Sequence, residues 1–208
     1  NPKTKFAIID ATVDAPNIAS AMFAEHQGSY LVGYIAALKS KTGSIGFIGG
    51  MDIPLIRRFE KAYTQGAIAA KPGVKVHVNY VGVTSEAWNN PTKAKEIASS
   101  QYQKGSDVIF VAAGSSNMGC FDAAAAAKKF AIGVDSNQNW IKPGTILTSM
   151  LKRVDSAVYQ IIEETSHDKF KPGLHYFDFK NAGIDWALDQ HNQTLFSADE
   201  IKKIIWFF

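Results

Sequence analysis

Four apolar segments of this 208-residue chain end in polar or glycine-rich residues that could contact a small ligand. Each segment is short enough for a buried β-strand, and the residues beyond their ends are Asp10, Gly49–Asp52, Gly114–Ser116 and Asp135–Gln138. In open α/β sheets the carboxyl ends of parallel strands meet at one edge, and small ligands bind there. A carboxylate accepts hydrogen bonds through both oxygens, so it suits the paired hydroxyls of a sugar.

An aspartate at the end of a strand has a second explanation, because its side chain often caps a following helix. For Asp10 or Asp135 taken alone, capping is the more frequent role. The repetition of polar residues at several strand ends along one edge favours a binding site instead.

Two further residues are candidates for ligand contacts. Trp88 follows the apolar segment Val74–Val83, and it could stack on a base or a sugar or simply pack against the protein. Lys152 follows the segment Thr145–Met150, and it could donate to a polar ligand or remain solvated. Both explanations are open for each residue.

The stretch 105–139 has the pattern of a strand, a helix and a second strand. Val108–Ala113 is a continuous apolar run, and Ala131–Val134 is another that ends at Asp135. Between them, Cys120–Lys129 is rich in alanine and favours a helix. The pattern predicts two adjacent parallel strands, with Gly114 and Asp135 beyond their carboxyl ends.

The rest of the chain alternates between strand and helix patterns, which predicts a doubly wound parallel α/β sheet. Further strands are predicted at Phe6–Ile9 (buried), Ser44–Ile48 (ended by Gly49-Gly50), Val74–Val83 and Thr145–Met150. Helices are predicted within Gly28–Lys39 and from Pro54, Asn90, Val154 and Ser197, with only a short apolar piece around Met22-Phe23. The aromatic, turn-rich segment Gly173–Leu188 predicts antiparallel strands or an extended return.

Composition and motifs argue against several classes of protein. The net charge of +3 comes from scattered lysines, which is not typical of a nucleic-acid-binding surface. No apolar run reaches the ~20 residues of a membrane span, and the single cysteine, Cys120, excludes an internal disulfide and is predicted to be a packed thiol. GxGxxG, Walker and GxSxG motifs are absent, and the five histidines are dispersed. We therefore expect no cofactor, no metal and no nucleophilic catalysis.

Several consecutive motifs resemble the basic membrane protein (BMP) family, and in particular the PnrA-type purine-nucleoside-binding lipoproteins of ABC transporters. In order, these motifs are FAIID, EHQGSYLVGYIAAL, SIGFIGGMDIPLIRRFEKAYTQGA, WNNPTKAKEIA, DVIFVAAGSSNMGCFDAA, IGVDSNQ and TILTSMLKRVDSAVYQ. The resemblance implies a type I periplasmic-binding-protein fold with two doubly wound parallel-sheet lobes, the first of them incomplete here. It implies that residues 1–42 are the remainder of lobe one, residues 43–149 form lobe two, and residues 150–208 return to lobe one and add the C-terminal strands and helix.

The resemblance also implies roles for individual residues. Asp135 and Lys152 are expected to hold the ribose of the ligand, and Asp10 to supply a polar contact from lobe one. Gly114 is expected to allow a close approach of the backbone to the ligand. Three other residues lie at matching strand ends and are carried over as ligand contacts, namely Gly50, Met51 and Trp88.

The chain departs from the family pattern in three places. The segment that opens the family's first lobe, which supplies a base-stacking aromatic residue, is missing here together with the lipobox cysteine, for which Cys120 is no substitute. The family has aspartate at the position of Asn137, and a Gly-Gly-Thr-Gly-like turn in place of Gly114–Asn117. We therefore expect a fragment or processed form, and the preferred nucleoside stays open.

The expected function is an extracytoplasmic solute-binding protein that captures a nucleoside, of purine type, between two lobes and delivers it to an ABC permease. Its partners would be the nucleoside and the permease, with no nucleic acid and with membrane contact only through a lipid anchor outside this chain. One alternative is the sensor domain of a transcription regulator, which a helix-turn-helix segment upstream would support. Another is an α/β enzyme acting on nucleosides or sugars, which the lack of a nucleophile–base pair disfavours.

Overall fold

The computed structural model describes residues 3–207, in which strands and helices alternate along the chain. The strands are β1 (Phe6–Ile9), β2 (Ile18–Phe23), β3 (Ser44–Met51), β4 (Lys75–Gly82), β5 (Val108–Ala112), β6 (Phe130–Asp135), β7 (Ile146–Lys152), β8 (Gly173–Phe177) and β9 (Ile184–Trp186). The α-helices are α1 (Glu25–Lys39), α2 (Pro54–Ala70), α3 (Pro91–Gln103), α4 (Asn117–Ala127), α5 (Val154–Ser166) and α6 (Ala198–Phe207). None of the helices in this range is long and apolar enough to cross a membrane.

The strands form two sheets. The larger sheet has six strands in the order β4-β3-β5-β6-β7-β9, and the smaller one has three in the order β1-β2-β8. All neighbouring strands are parallel except β9, which runs antiparallel to β7. The predicted α/β class with mainly parallel sheets is therefore confirmed.

Helices cover both faces of the six-stranded sheet. On one face Phe47 and Phe110 pack against Tyr63 of α2, together with residues of α1. On the other face Ile109 packs with Phe121 of α4 and residues of α3. Because successive residues of a strand point to opposite faces, this arrangement explains the continuous apolar runs in β3 and β5.

The three-stranded sheet packs on α5 through a separate apolar cluster, which includes Phe23, Ile161 and Phe177. Helix α1 lies in the range 1–42 predicted for lobe one, and its apolar residues pack against α2 and the six-stranded sheet. The predicted division into residues 1–42, 43–149 and 150–208 stays a prediction.

Strand β3 corrects the prediction that Gly49-Gly50 ends its strand, since β3 continues to Met51. Gly49 pairs with Tyr80 of β4 and with Ala112 of β5. Backbone hydrogen bonding on both sides outweighs the weak strand preference of glycine at this position.

The small sheet differs from the sequence interpretation in two respects. β1 is an edge strand paired only with β2, and Phe6 is 47% exposed, so the strand is not buried as expected. The short apolar piece predicted around Met22-Phe23 is the end of a longer element, because residues 18–23 form the central strand β2. The small residues Ala19, Ser20 and Ala21 give a weak strand signal, and pairing with both neighbours determines the structure.

The C-terminal region is partly as predicted. β8 pairs parallel to β2, contrary to the expectation of antiparallel strands, whereas β9 is antiparallel to β7. Helix α6 begins at Ala198, close to the predicted start, and Ile204 is buried. The apolar run at residues 204–208 is expected from its composition to pack against the protein. Trp206 is 89% exposed, so this packing does not extend to it, and Phe208 lies outside the described residues.

Candidate ligand-binding cleft

An ion pair joins the ends of the two sheets. Lys152 is the last residue of β7, and its ammonium group donates a hydrogen bond to the carboxylate of Asp10, which directly follows β1. The Lys152 side chain is only 7% exposed, and its Nζ lies 5.1 Å from the ring centroid of Phe23, the last residue of β2. Two of the predicted site residues thus meet where the carboxyl ends of both sheets face each other.

Asp135 ends β6, the neighbour of β7, and its carboxylate has an unusual environment. Solvent reaches the side chain, yet protein atoms crowd its other sides, and this desolvation is the main cause that raises its pKa. The positive charge of Lys152 lowers the pKa, whereas the negative charges of Asp10 and Glu25 raise it. Asp135 therefore shares one electrostatic environment with Asp10 and Lys152.

Both strand-end aspartates have left-handed backbone conformations. Asp10 has φ 63° and Asp135 has φ 66°. This region costs an L-residue roughly 1–2 kcal/mol, although aspartate tolerates it better than most residues do. Strain of this kind persists only where surrounding structure enforces it, and it concentrates at functional sites.

No group within residues 3–207 donates a hydrogen bond to the Asp135 carboxylate, so in this range it does not cap a helix. Asp135 instead lines an open pocket of about 570 Å³, together with Ser136, Asn137 and residues 151–155. Volumes of several hundred Å³ are typical of small-molecule sites. Two of these lining residues, Arg153 and Asp155, form an ion pair at 3.0 Å. Asp135 is therefore a pocket acceptor without a donor from the described protein.

Gly50, Trp88 and Gly114 form a second group at the same edge of the six-stranded sheet. A Cβ atom on Gly50 would lie 2.3 Å from the nearest Trp88 ring carbon. Gly114 has φ 59°, and a Cβ atom there would lie 3.1 Å from the Trp88 carbonyl oxygen. The two glycines therefore seat the partly exposed Trp88, which also contacts the main core. Met51 is partly buried and packs against the cluster beneath α3 and α4.

The strand order of the six-stranded sheet places the group around Trp88 next to the group around Asp135 and Lys152. β3, β5, β6 and β7 are consecutive strands, and Gly50, Gly114, Asp135 and Lys152 lie at or just beyond their carboxyl ends. Neighbouring strands are about 4.8 Å apart, so these positions form a continuous row along one edge. The role of each residue as a ligand contact stays a prediction.

The seat of Trp88 provides a first test. We expect Gly50→Ala to displace the Trp88 ring, because the new methyl group would overlap it, and to lower the free energy of unfolding by about 1–3 kcal/mol. Chemical denaturation and tryptophan fluorescence would measure both effects. The control is Gly82→Ala at the end of the adjacent strand, where a Cβ atom would make an ordinary 3.5 Å contact with Ala87. Equal behaviour of the two variants would contradict the assignment.

Sequence reasoning missed Glu25, the first residue of α1. Its side chain is 2% exposed, and Arg58 of α2 donates a hydrogen bond to it at 2.5 Å. A buried carboxylate requires a partner of this kind. The sequence does place Glu25 shortly after an apolar run, as it does Asp10 and Asp135. This position was not recognised as a strand end because β2 was not predicted to be a strand.

Cys120 is fully buried, and burial raises the pKa of its thiol to about 12, which confirms the predicted packed thiol. Within the described range, no cluster of three or more histidine, cysteine, aspartate or glutamate side chains could hold a metal ion.

The fold defines a class of protein. The ABC transporter solute-binding protein from Aeropyrum pernix superposes with a TM-score of 0.83 at 30% identity, covering 99% of this chain and 63% of that one. A transcriptional activator of the comK gene from Bacillus halodurans gives a TM-score of 0.87 at 24% identity, covering 98% of this chain and 68% of that one, and this likeness shows the fold alone. The structure has the periplasmic-binding-protein-like fold of these proteins.

Sequence comparison specifies the family. The model of the Bmp family, described as ABC transporter substrate-binding protein PnrA-like, matches residues 1–206. The ABC transporter nucleoside-binding protein BmpA of Lactococcus lactis is 37% identical over 98% of this chain, which spans 62% of that protein's length. The chain belongs to the Bmp family of PnrA-like substrate-binding proteins. This membership makes the regulator and enzyme alternatives weaker.

Proposed function

We propose that this chain is part of an extracytoplasmic solute-binding protein that captures a purine nucleoside in the cleft between its two sheets. The observation that carries the proposal is the Asp135 carboxylate, which lines the pocket and accepts no hydrogen bond from residues 3–207. A relative named as nucleoside-binding supports the choice of ligand class. The bound nucleoside would pass to an ABC permease, and a lipid anchor outside this chain would hold the protein at the membrane.

The ribose would bind at Asp135. Its two oxygens can accept hydrogen bonds from two neighbouring hydroxyls, and Lys152 can donate to an oxygen of the same sugar. Lys152 is held by Asp10 across the two sheets, so a ligand at this point contacts both. Binding breaks no covalent bond, and closure follows from contacts that the ligand makes with both sheets.

The base would lie toward Trp88. Stacking of a base on an aromatic ring contributes about 1–3 kcal/mol. Gly50 and Gly114 leave room for Trp88 at this part of the edge, and Trp88 remains partly exposed. The proposal therefore assigns the sugar to the Asp135 end of the row and the base to the Trp88 end.

Calorimetry on this chain, and on a version extended to the length of its relatives, tests the proposal. We expect saturable binding of inosine, guanosine or adenosine, and a large loss with the corresponding 2′,3′-dideoxynucleoside, since Asp135 would lose both donors. Uridine, which carries the same ribose with a pyrimidine base, is the control ligand for the purine preference. Silence with every nucleoside, together with binding of an unrelated solute, would refute the proposal.

A further inference from the structure

Asp189 lies in the segment that follows β9, outside the row of strand ends, and its carboxylate holds the loop after Asp135. Its Oδ2 accepts hydrogen bonds from the side-chain amides of Asn137, at 2.6 Å, and Asn139, at 3.1 Å. Its Oδ1 accepts from the backbone N–H of His191 at 2.7 Å. One carboxylate thus joins two distant parts of the chain.

The segment that carries Asp189 is firmly attached to β7. Asn192 is fully buried, accepts a hydrogen bond from the Asp189 N–H at 2.8 Å, and donates to the carbonyl of Leu147 at 2.9 Å. The hydroxyl of buried Thr148 donates to the carbonyl of Ala187 at 2.8 Å. Asp189 is therefore a fixed anchor rather than a surface group on a free loop.

Hydrogen bonds hold the loop of residues 136–139, which follows Asp135. The Ser136 N–H donates to the Val134 carbonyl at 2.8 Å, and the Gln138 N–H donates to the Ser149 hydroxyl at 3.0 Å. The Asn139 N–H donates to the side-chain carbonyl of Asn137 at 3.0 Å. Asp135, with its left-handed backbone, thus lies between fixed points, and the side chains of residues 137 and 139 connect this turn to Asp189.

We propose that Asp189 is a positioning residue, which holds Asp135 in its left-handed conformation through Asn137 and Asn139 and thereby sets the affinity for the ligand. The inference rests on the proposed function, because it assigns to Asp189 an indirect role at the same site. An amide at position 137 is essential to it, since a carboxylate there would face the carboxylate of Asp189 and repel it.

The negative charge of Asp189 supports its role as the acceptor for Asn137 and Asn139. Burial opposes ionisation of Asp189, but hydrogen bonds from Asn137, from the His191 backbone and from Asn139 outweigh it and lower the pKa. The charge of His191 acts in the same direction. Asp189 is therefore ionised at neutral pH and can accept from both amides at once.

The test uses Asn137→Asp, Asp189→Asn and their combination. We expect Asn137→Asp to weaken nucleoside binding about tenfold or more and to speed amide hydrogen exchange at residues 136–139. The double variant should bind more tightly than Asn137→Asp alone, because an amide again faces a carboxylate. The ratio of the Asn137→Asp and wild-type affinities should approach one as pH falls, since one proton shared by the two carboxylates restores a hydrogen bond between them.

Gln193→Glu is the control, since it also adds one negative charge near Asp189, in the segment that carries Asp189, at an exposed position. Within residues 3–207 the Gln193 side chain makes no hydrogen bond to Asp189; only its backbone N–H does, to the Asp189 carbonyl at 2.8 Å. The inference would be overturned if Asn137→Asp matched the wild type both in binding and in hydrogen exchange at residues 136–139. It would also be overturned if the double variant bound no more tightly than Asn137→Asp. Hydrogen exchange needs no ligand, so it still decides the role of Asp189 if the wild type binds no nucleoside and the proposed function fails.

Discussion

Replacing Asp135 by alanine is expected to weaken purine-nucleoside binding by about 3 kcal/mol, a factor of about 10². The reason is that two hydroxyl donors of the ribose would lose their charged acceptor, and each such hydrogen bond contributes at least about 1.5 kcal/mol. Calorimetric titration of wild type and variant measures the difference. Asp122→Ala is the matched control, because Asp122 is an exposed aspartate of α4 that pairs with Lys142 outside the pocket residues.

Asp135→Asn separates the charge from the backbone effect. Asparagine accepts the left-handed conformation about as readily as aspartate, whereas alanine does not. The asparagine variant should therefore be at least as stable as the wild type at neutral pH, because it carries no charge that burial disfavours, and it should still bind weakly. Unchanged affinity in both variants would remove Asp135 from the site.

Acidification should affect binding and stability in opposite directions at Asp135. Its pKa in the folded state is raised, so the folded protein takes up this proton more readily than the unfolded chain, and the contribution of Asp135 to stability improves as pH falls through the raised pKa. Affinity should decrease over the same range, because the protonated group is a poorer acceptor. Denaturation and titration at matched pH values, compared with Asp135→Asn, isolate this contribution.

The larger sheet could be predicted from the sequence because its signals are local. Val108–Ala113 and Ala131–Val134 are apolar runs flanked by turn residues, and β5 and β6 lie within one residue of them at each end. The starts of the helices at Pro54 and Asn90 could also be predicted from local sequence. Such elements are marked by residues that determine both their composition and their ends.

Features that depend on distant partners could not be predicted. The length of β3 beyond Gly49 requires pairing with both β4 and β5, and β2 is a strand only because two neighbours bond to it. The same limit applies at the site. Lys152 contacts Asp10 across 142 residues of sequence, and Asn137 contacts Asp189 across 52 residues. No local sequence pattern specifies either contact.

Lys152→Met is expected to reduce both stability and affinity. The variant leaves the carboxylate of Asp10 without its cation in a partly buried position, which should lower the free energy of unfolding by about 2–3 kcal/mol. The pKa of Asp135 should rise further, since the Lys152 charge that lowers it is gone. The stability deficit should therefore shrink as pH falls, because protonation removes the repulsion between the two carboxylates. Urea denaturation across pH measures it.

The double variant Asp10→Asn/Lys152→Met separates the two roles of the lysine. Replacing both charges by neutral groups should restore much of the stability, because no uncompensated charge remains between the sheets. Affinity should stay low, because the donor that Lys152 offers to the ribose is still absent. A double variant that regains wild-type affinity would show that Lys152 acts only on the stability of the cleft, whereas one that regains neither property would contradict the pairing with Asp10.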